Sequence, residues 1–139
     1  MTTSTIGTFR LPPGIALLAY ALGGLLLGFC NRPLNLIAQR YGIRPGIGTA
    51  LNVNILMPLL VAALAIFHRR AGIAVLGAVI ATIMFHLAFT FVQQPHLSEW
   101  SARTTIAGIH PILIAACLGY AVIGAIAAVV AASFRVRAR

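Results

Sequence analysis

What this chain lacks is acid. It contains no aspartate, a single glutamate (Glu99) and no lysine, so all ten basic side chains are arginine and the formal net charge is +9. Charged residues make up 8% of the 139 positions, where a soluble domain carries about 25%. That is too little to cover a surface facing water. With one carboxylate there is no pair for general acid–base work, no Ser-His-Asp triad and no carboxylate proton relay. Coupling to a cation gradient loses its usual intramembrane acid as well, and the expectation is a protein that is not an enzyme. Cysteine is equally scarce. Cys30 and Cys117 form neither a CxxC pair nor a zinc spacing, and each is expected to be a small packing residue.

What the chain has instead is apolar length. Hydrophobic residues account for 60% of it and the mean hydropathy is +1.00. Uncharged runs cover residues 14–30, 48–67, 73–92 and 106–133, each close to the roughly 20 residues that cross a bilayer as a helix at about 1.5 Å per residue. The expected fold is all-α: one transmembrane domain over residues 1–139, folded as an integral membrane four-helix antiparallel bundle. Pro12 and Pro13 suit the start of the first helix, whose opening turn has no N–H partners to lose. Phe29-Cys30-Asn31-Arg32-Pro33 has no small-residue cleavage pattern, so the first run is expected to be kept as a span.

The arginines flank these runs. Arg32, Arg40, Arg44, Arg69 and Arg70 sit in the short connections and are expected to meet lipid headgroups, with no role in nucleic acid binding. Residues 33–42 place Leu34, Ile37, Ala38 and Tyr41 at helical spacing, with Arg32, Asn35, Gln39 and Arg40 turned away; that is the pattern of an amphipathic segment lying in the interface. Four spans put both termini on one side. That side carries six arginines (10, 69, 70, 135, 137, 139) against four on the other (32, 40, 44, 103), which assigns the termini to the cytoplasm of a bacterial-type inner membrane by the positive-inside rule.

Small residues mark where helices approach. Gly24 and Gly28 share a face with Ala16 and Tyr20 on the first span; Ala115 with Gly119, and Tyr120 with Gly124 and Ala128, mark two stripes on the fourth. Pro58, inside the second span, removes a backbone hydrogen bond and predicts a kink.

The polar residues within the spans are few. In the third run Thr82, His86 and Thr90 recur at i, i+4 and i+8 above Ala74 and Ala78, a face expected to meet protein. Asn52 and Asn54 in the second span and His110 in the fourth lie at similar depth, so a polar cluster is expected in the outer half of the membrane. It can be read as a hydrogen-bond knot between helices. It can also be read as a ligand pair, His86 and His110 holding a haem or another tetrapyrrole. A copper site would have to add His96 and recruit Met57 or Met84, and a permeation path would use Asn52, Asn54 and Thr90. The function expected from the whole is a non-catalytic accessory subunit of a larger membrane complex, set in electron transfer or photosynthesis, with other membrane subunits and lipids as partners. The alternatives are a small homo-oligomeric channel or transporter, and a haem- or pigment-binding membrane subunit.

Overall fold

The computed structural model of the protein describes residues 11–44, 46–93 and 111–137, with side chains up to Phe134 in the last stretch. Among the described residues every regular element is helical. We number them α1 (Pro13–Arg40), α2 (Ile47–His68), α3 (Ala71–Gln93) and α4 (Pro111–Arg137). Each contains a stretch long and apolar enough to cross a membrane, with mean hydropathy from 1.9 to 2.5.

Helix α1 does not stop where its apolar run ends. It passes through Pro33 and continues to Arg40, 28 residues in all, about 42 Å at 1.5 Å per residue. That outreaches the ~30 Å hydrocarbon layer; of the segment 33–42, residues up to Arg40 form the last turns of this helix, and Tyr41 and Gly42 its cap. The stop is a Schellman motif: Gly42 adopts φ +69°, its N–H donates to the Gln39 carbonyl (3.0 Å), and the Ile43 N–H reaches back to the Ala38 carbonyl (3.0 Å).

Helix α2 changes its winding along its length. Ile47–Leu51 is α-helical, Asn52–Leu56 is a π-turn, and Met57–His68 is α-helical again. Pro58 supplies the reason. Its ring clashes with the carbonyl four residues earlier and it has no N–H to give, so the turn before it widens to the i→i+5 register, seen where Met57 N–H meets the Asn52 carbonyl. The next bond in that register would run from position 58 to the Val53 carbonyl, and proline cannot make it. The α2–α3 connection is tight: Arg69 takes a left-handed conformation (φ 57°) and its N–H donates to the Ala65 carbonyl (2.8 Å).

The most extensive packing is between α1 and α3, with residue numbers rising together: Tyr20 lies over Gly77, Gly24 against Ala81, and Gly28 against Phe85 and Ala88. A Cβ on Gly24 would run into the Ala81 backbone carbonyl, so this approach requires glycine. Between α1 and α2 the order is opposite: Gly23 meets Leu60, Leu27 meets Asn52, and Asn35 meets Thr49. Helix α4 rests on α2 and α3 through Tyr120 and Gly124, the latter beside Val61 and Ala74. Tyr20, Met57, Val61, Ala78, Ala81, Phe85 and Tyr120 form the main core, and Ala65, Ala74 and Ala128 a smaller one. Large apolar side chains such as Leu18, Leu26, Leu59, Ile83, Ile114 and Leu118 point outward. Small residues inside and large ones outside is the arrangement that lipid, and not water, tolerates.

Candidate functional site

Three places hold polar groups within the packed helices, and each is built by a different local device. The first is a seam of amides between the end of α1 and the start of α2. On α1, Leu27, Asn31 and Asn35 follow one another at i, i+4 and i+8 and so share a face. On α2, Gly48, Thr49 and Asn52 face them: a Cβ at Gly48 would lie 2.7 Å from the Asn35 backbone nitrogen. Asn52 is fully buried and donates through Nδ2 to the Leu27 carbonyl (2.6 Å). Asn35 donates through Nδ2 to the Asn31 carbonyl (3.1 Å) and to Thr49 Oγ1 (2.9 Å). All three amide oxygens, Oδ1 of Asn31, Asn35 and Asn52, are buried without a donor among the described residues. A surface groove of about 530 Å³ between α1 and α3 is lined by Asn31, Arg32, Asn35, Leu36 and Gln39 of α1 and by Val92 and Gln93 of α3.

The second place lies toward the other end of α2. The His68 Nδ1 accepts the Arg70 backbone N–H (3.1 Å), so in the neutral imidazole the proton is on Nε2. Nε2 therefore donates to the Tyr20 hydroxyl (3.0 Å), which in turn donates to the Val61 carbonyl (3.4 Å). The rings of Tyr20 and His68 meet edge to face, 5.8 Å apart. The third place is the π-turn: the Tyr120 hydroxyl donates to the Val53 carbonyl, the acceptor that Pro58 leaves without a backbone partner.

Of the residues singled out in the sequence, Asn52 is in the amide seam. Asn54 is exposed and donates to the Ala50 carbonyl on its own helix (2.9 Å). Thr82 and Thr90 are buried, and each bonds back to its own helix, to the carbonyls of Ala78 (2.7 Å) and His86 (2.8 Å). His86 is half-buried on α3. His110, and with it the proposed ligand pair, lies outside the described residues, as do His96 and Glu99. Met57 is fully buried in the core. Among the described residues no group of three or more His, Cys, Asp or Glu side chains comes together. Gly24, Gly28 and Gly124 are buried at helix contacts, whereas Gly119 is exposed with nothing near its Cβ position. Arg32, Arg40, Arg44 and Arg70 are exposed and Arg69 is half-buried.

Sequence reasoning passed over Asn31 and His68, placed Asn35 on the face turned away, and took Tyr20 and Tyr120 as members of packing stripes without their hydrogen bonds. The signal for the asparagines was present: Ala16, Tyr20, Gly24, Gly28, Asn31, Asn35 and Ala38 step by three or four along α1, so the glycine face runs on into them.

Taken together, these features define an all-helical protein with four helices long and apolar enough to span a membrane, consistent with a multi-pass membrane protein. No protein-family model matches the chain, and neither a curated protein nor a solved structure is significantly similar to it.

Proposed function

We propose that this protein is a non-catalytic accessory subunit of a larger membrane complex, an antiparallel four-helix bundle with both termini on the cytoplasmic side of a bacterial-type inner membrane. The observation that carries the reading is the contrast between the two small-residue stripes of α4. Tyr120, Gly124 and Ala128 are buried against α2 and α3, while Ala115 and Gly119 are exposed. A glycine on an outward face gives a neighbouring transmembrane helix a place to approach closely. Inside, three polar side chains hold helix to helix by bonding backbone carbonyls: Asn52 to Leu27, Tyr20 to Val61, Tyr120 to Val53. Groups used in this way tie the bundle together and support a packing role.

The test is isolation of the tagged full chain from its native membrane in mild detergent. Unrelated membrane subunits should co-elute in fixed proportion, and Gly119→Leu should release them while leaving the chain folded. A stable homodimer that carries ions in liposomes would overturn the reading in favour of a channel. The electron-transfer or photosynthetic setting belongs to the proposal as well, and it predicts a haem or chlorin absorbance band in the co-eluting complex. If that band is abolished by His86→Leu, the pigment is held by this chain; a complex without any such band removes the setting.

A further inference from the structure

The amide seam between α1 and α2 has a chemistry of its own. Buried polar groups in native proteins are almost always paired, because an oxygen that gives up water without gaining a donor destabilises the fold. Here Asn35 and Asn52 use their side-chain nitrogen as a donor, and Asn31, Asn35 and Asn52 all leave the oxygen buried and unmet among the described residues. Asn31 is 3% exposed and Asn52 0%. Asn31 and Asn35 are one turn apart on α1, and Asn52 reaches the same face of α1 from α2. The Leu27 carbonyl that receives Asn52 Nδ2 is the helical acceptor of the Asn31 N–H, so the Asn52 amide sits at the level of Asn31, and Asn35 is one turn further.

We propose that Oδ1 of Asn31, Asn35 and Asn52 form an occluded site for a monovalent alkali cation of the sodium class. The ligand chemistry decides the class. Free oxygens offer only lone pairs, so an anion is excluded. There is no imidazole or thiolate among the three, which removes the transition metals. Without a carboxylate a divalent ion would keep its double charge uncompensated in a low-dielectric seam, whereas neutral carbonyl oxygens suffice for an alkali ion, as in carbonyl-lined filters. Two of the three side chains, Asn31 and Asn35, also line a groove on the α3 side of α1, which we take as the way in for the ion.

The experiment is thermal unfolding of the purified full chain in detergent, with sodium chloride exchanged for N-methyl-D-glucamine chloride at constant ionic strength, so that screening of the arginines does not change. The melting temperature should rise with sodium and saturate, as it does for any ligand that binds only the folded state. Asn31→Leu and Asn52→Leu should lose that dependence, and Gly119→Ala should keep it. Should the leucine variants fail to survive extraction, equilibrium dialysis of the wild-type chain with radioactive sodium should show about one ion per chain, displaced by unlabelled sodium. A melting temperature indifferent to sodium, or dialysis without displaceable binding, overturns the site and assigns the oxygens to buried water.

Discussion

What a Cβ would meet separates two glycines that look alike in the sequence. Gly24 and Gly119 each begin or end a small-residue pair at i, i+4, yet Gly24 lies against the Ala81 carbonyl and Gly119 faces open space. Gly24→Ala puts a methyl group into backbone that has no rotamer to yield, so α1 and α3 must separate. The expected loss is about 1–3 kcal/mol, the range for overpacking a tight core, measured by unfolding in mixed detergent and SDS. Gly119→Ala should leave intrinsic stability within about 0.5 kcal/mol, as surface changes do. Equal losses at both positions would mean that the α1–α3 contact is not as close as the packing requires. At this scale the sequence was legible where spacing alone decides, as at Gly24 and Gly28. It was not legible at α4, because Ala115–Gly119 and Tyr120–Gly124–Ala128 have the same spacing, and what sets the inward stripe apart, the Tyr120 hydroxyl on Val53 and Gly124 against Val61 and Ala74, lies on other helices.

Within α2 the proline, the π-turn and the tyrosine of another helix form one unit. Pro58 cannot donate to the Val53 carbonyl, and Tyr120 does so from α4. Removing the hydroxyl in Tyr120→Phe should cost about 1 kcal/mol, since interhelical hydrogen bonds in bilayers average about 0.6 and reach about 1.7. The double change gives the sharper outcome. Pro58→Ala restores an N–H that can satisfy the carbonyl from within α2, so Tyr120→Phe should cost less in that background, and the two substitutions should show a coupling energy of at least about 0.5 kcal/mol in a double-mutant cycle. Strict additivity would show that the tyrosine is not standing in for the missing N–H. The kink was readable from Pro58, but the partner was not. Depth in the membrane can be counted along a sequence, whereas direction around the helix axis acquires meaning only once neighbours are known. Asn52 and Asn54 illustrate this: two residues apart and at nearly the same depth, they sit about 200° apart on a helix, one fully buried against Leu27 and the other exposed.

For the molecule as a whole the four helices long and apolar enough to span a membrane were evident from the four apolar runs, while the reach of α1 to Arg40 was hidden by the polar character of its last third. Orientation rests on the arginines alone, because with a lone glutamate no acidic loop competes and the positive-inside rule counts basic residues in short connections. Six arginines on the side of the termini against four on the other predict a C-terminus in the cytoplasm. A green fluorescent protein fused there should fluoresce and an alkaline phosphatase fused at the same place should be inactive. The margin also predicts how the orientation fails. Arg69→Gln with Arg70→Gln lowers the count to 6 − 2 = 4 against four, so the balance disappears and both reporters should become partly active, a mixed population. Arg32→Gln with Arg40→Gln lowers the opposite side to 4 − 2 = 2 and should leave the wild-type orientation intact. Active phosphatase on the unmodified chain would reverse the assignment. It would also turn the amide seam, which lies at the end of α1 away from the N-terminus, from the outer face of the membrane to the inner one.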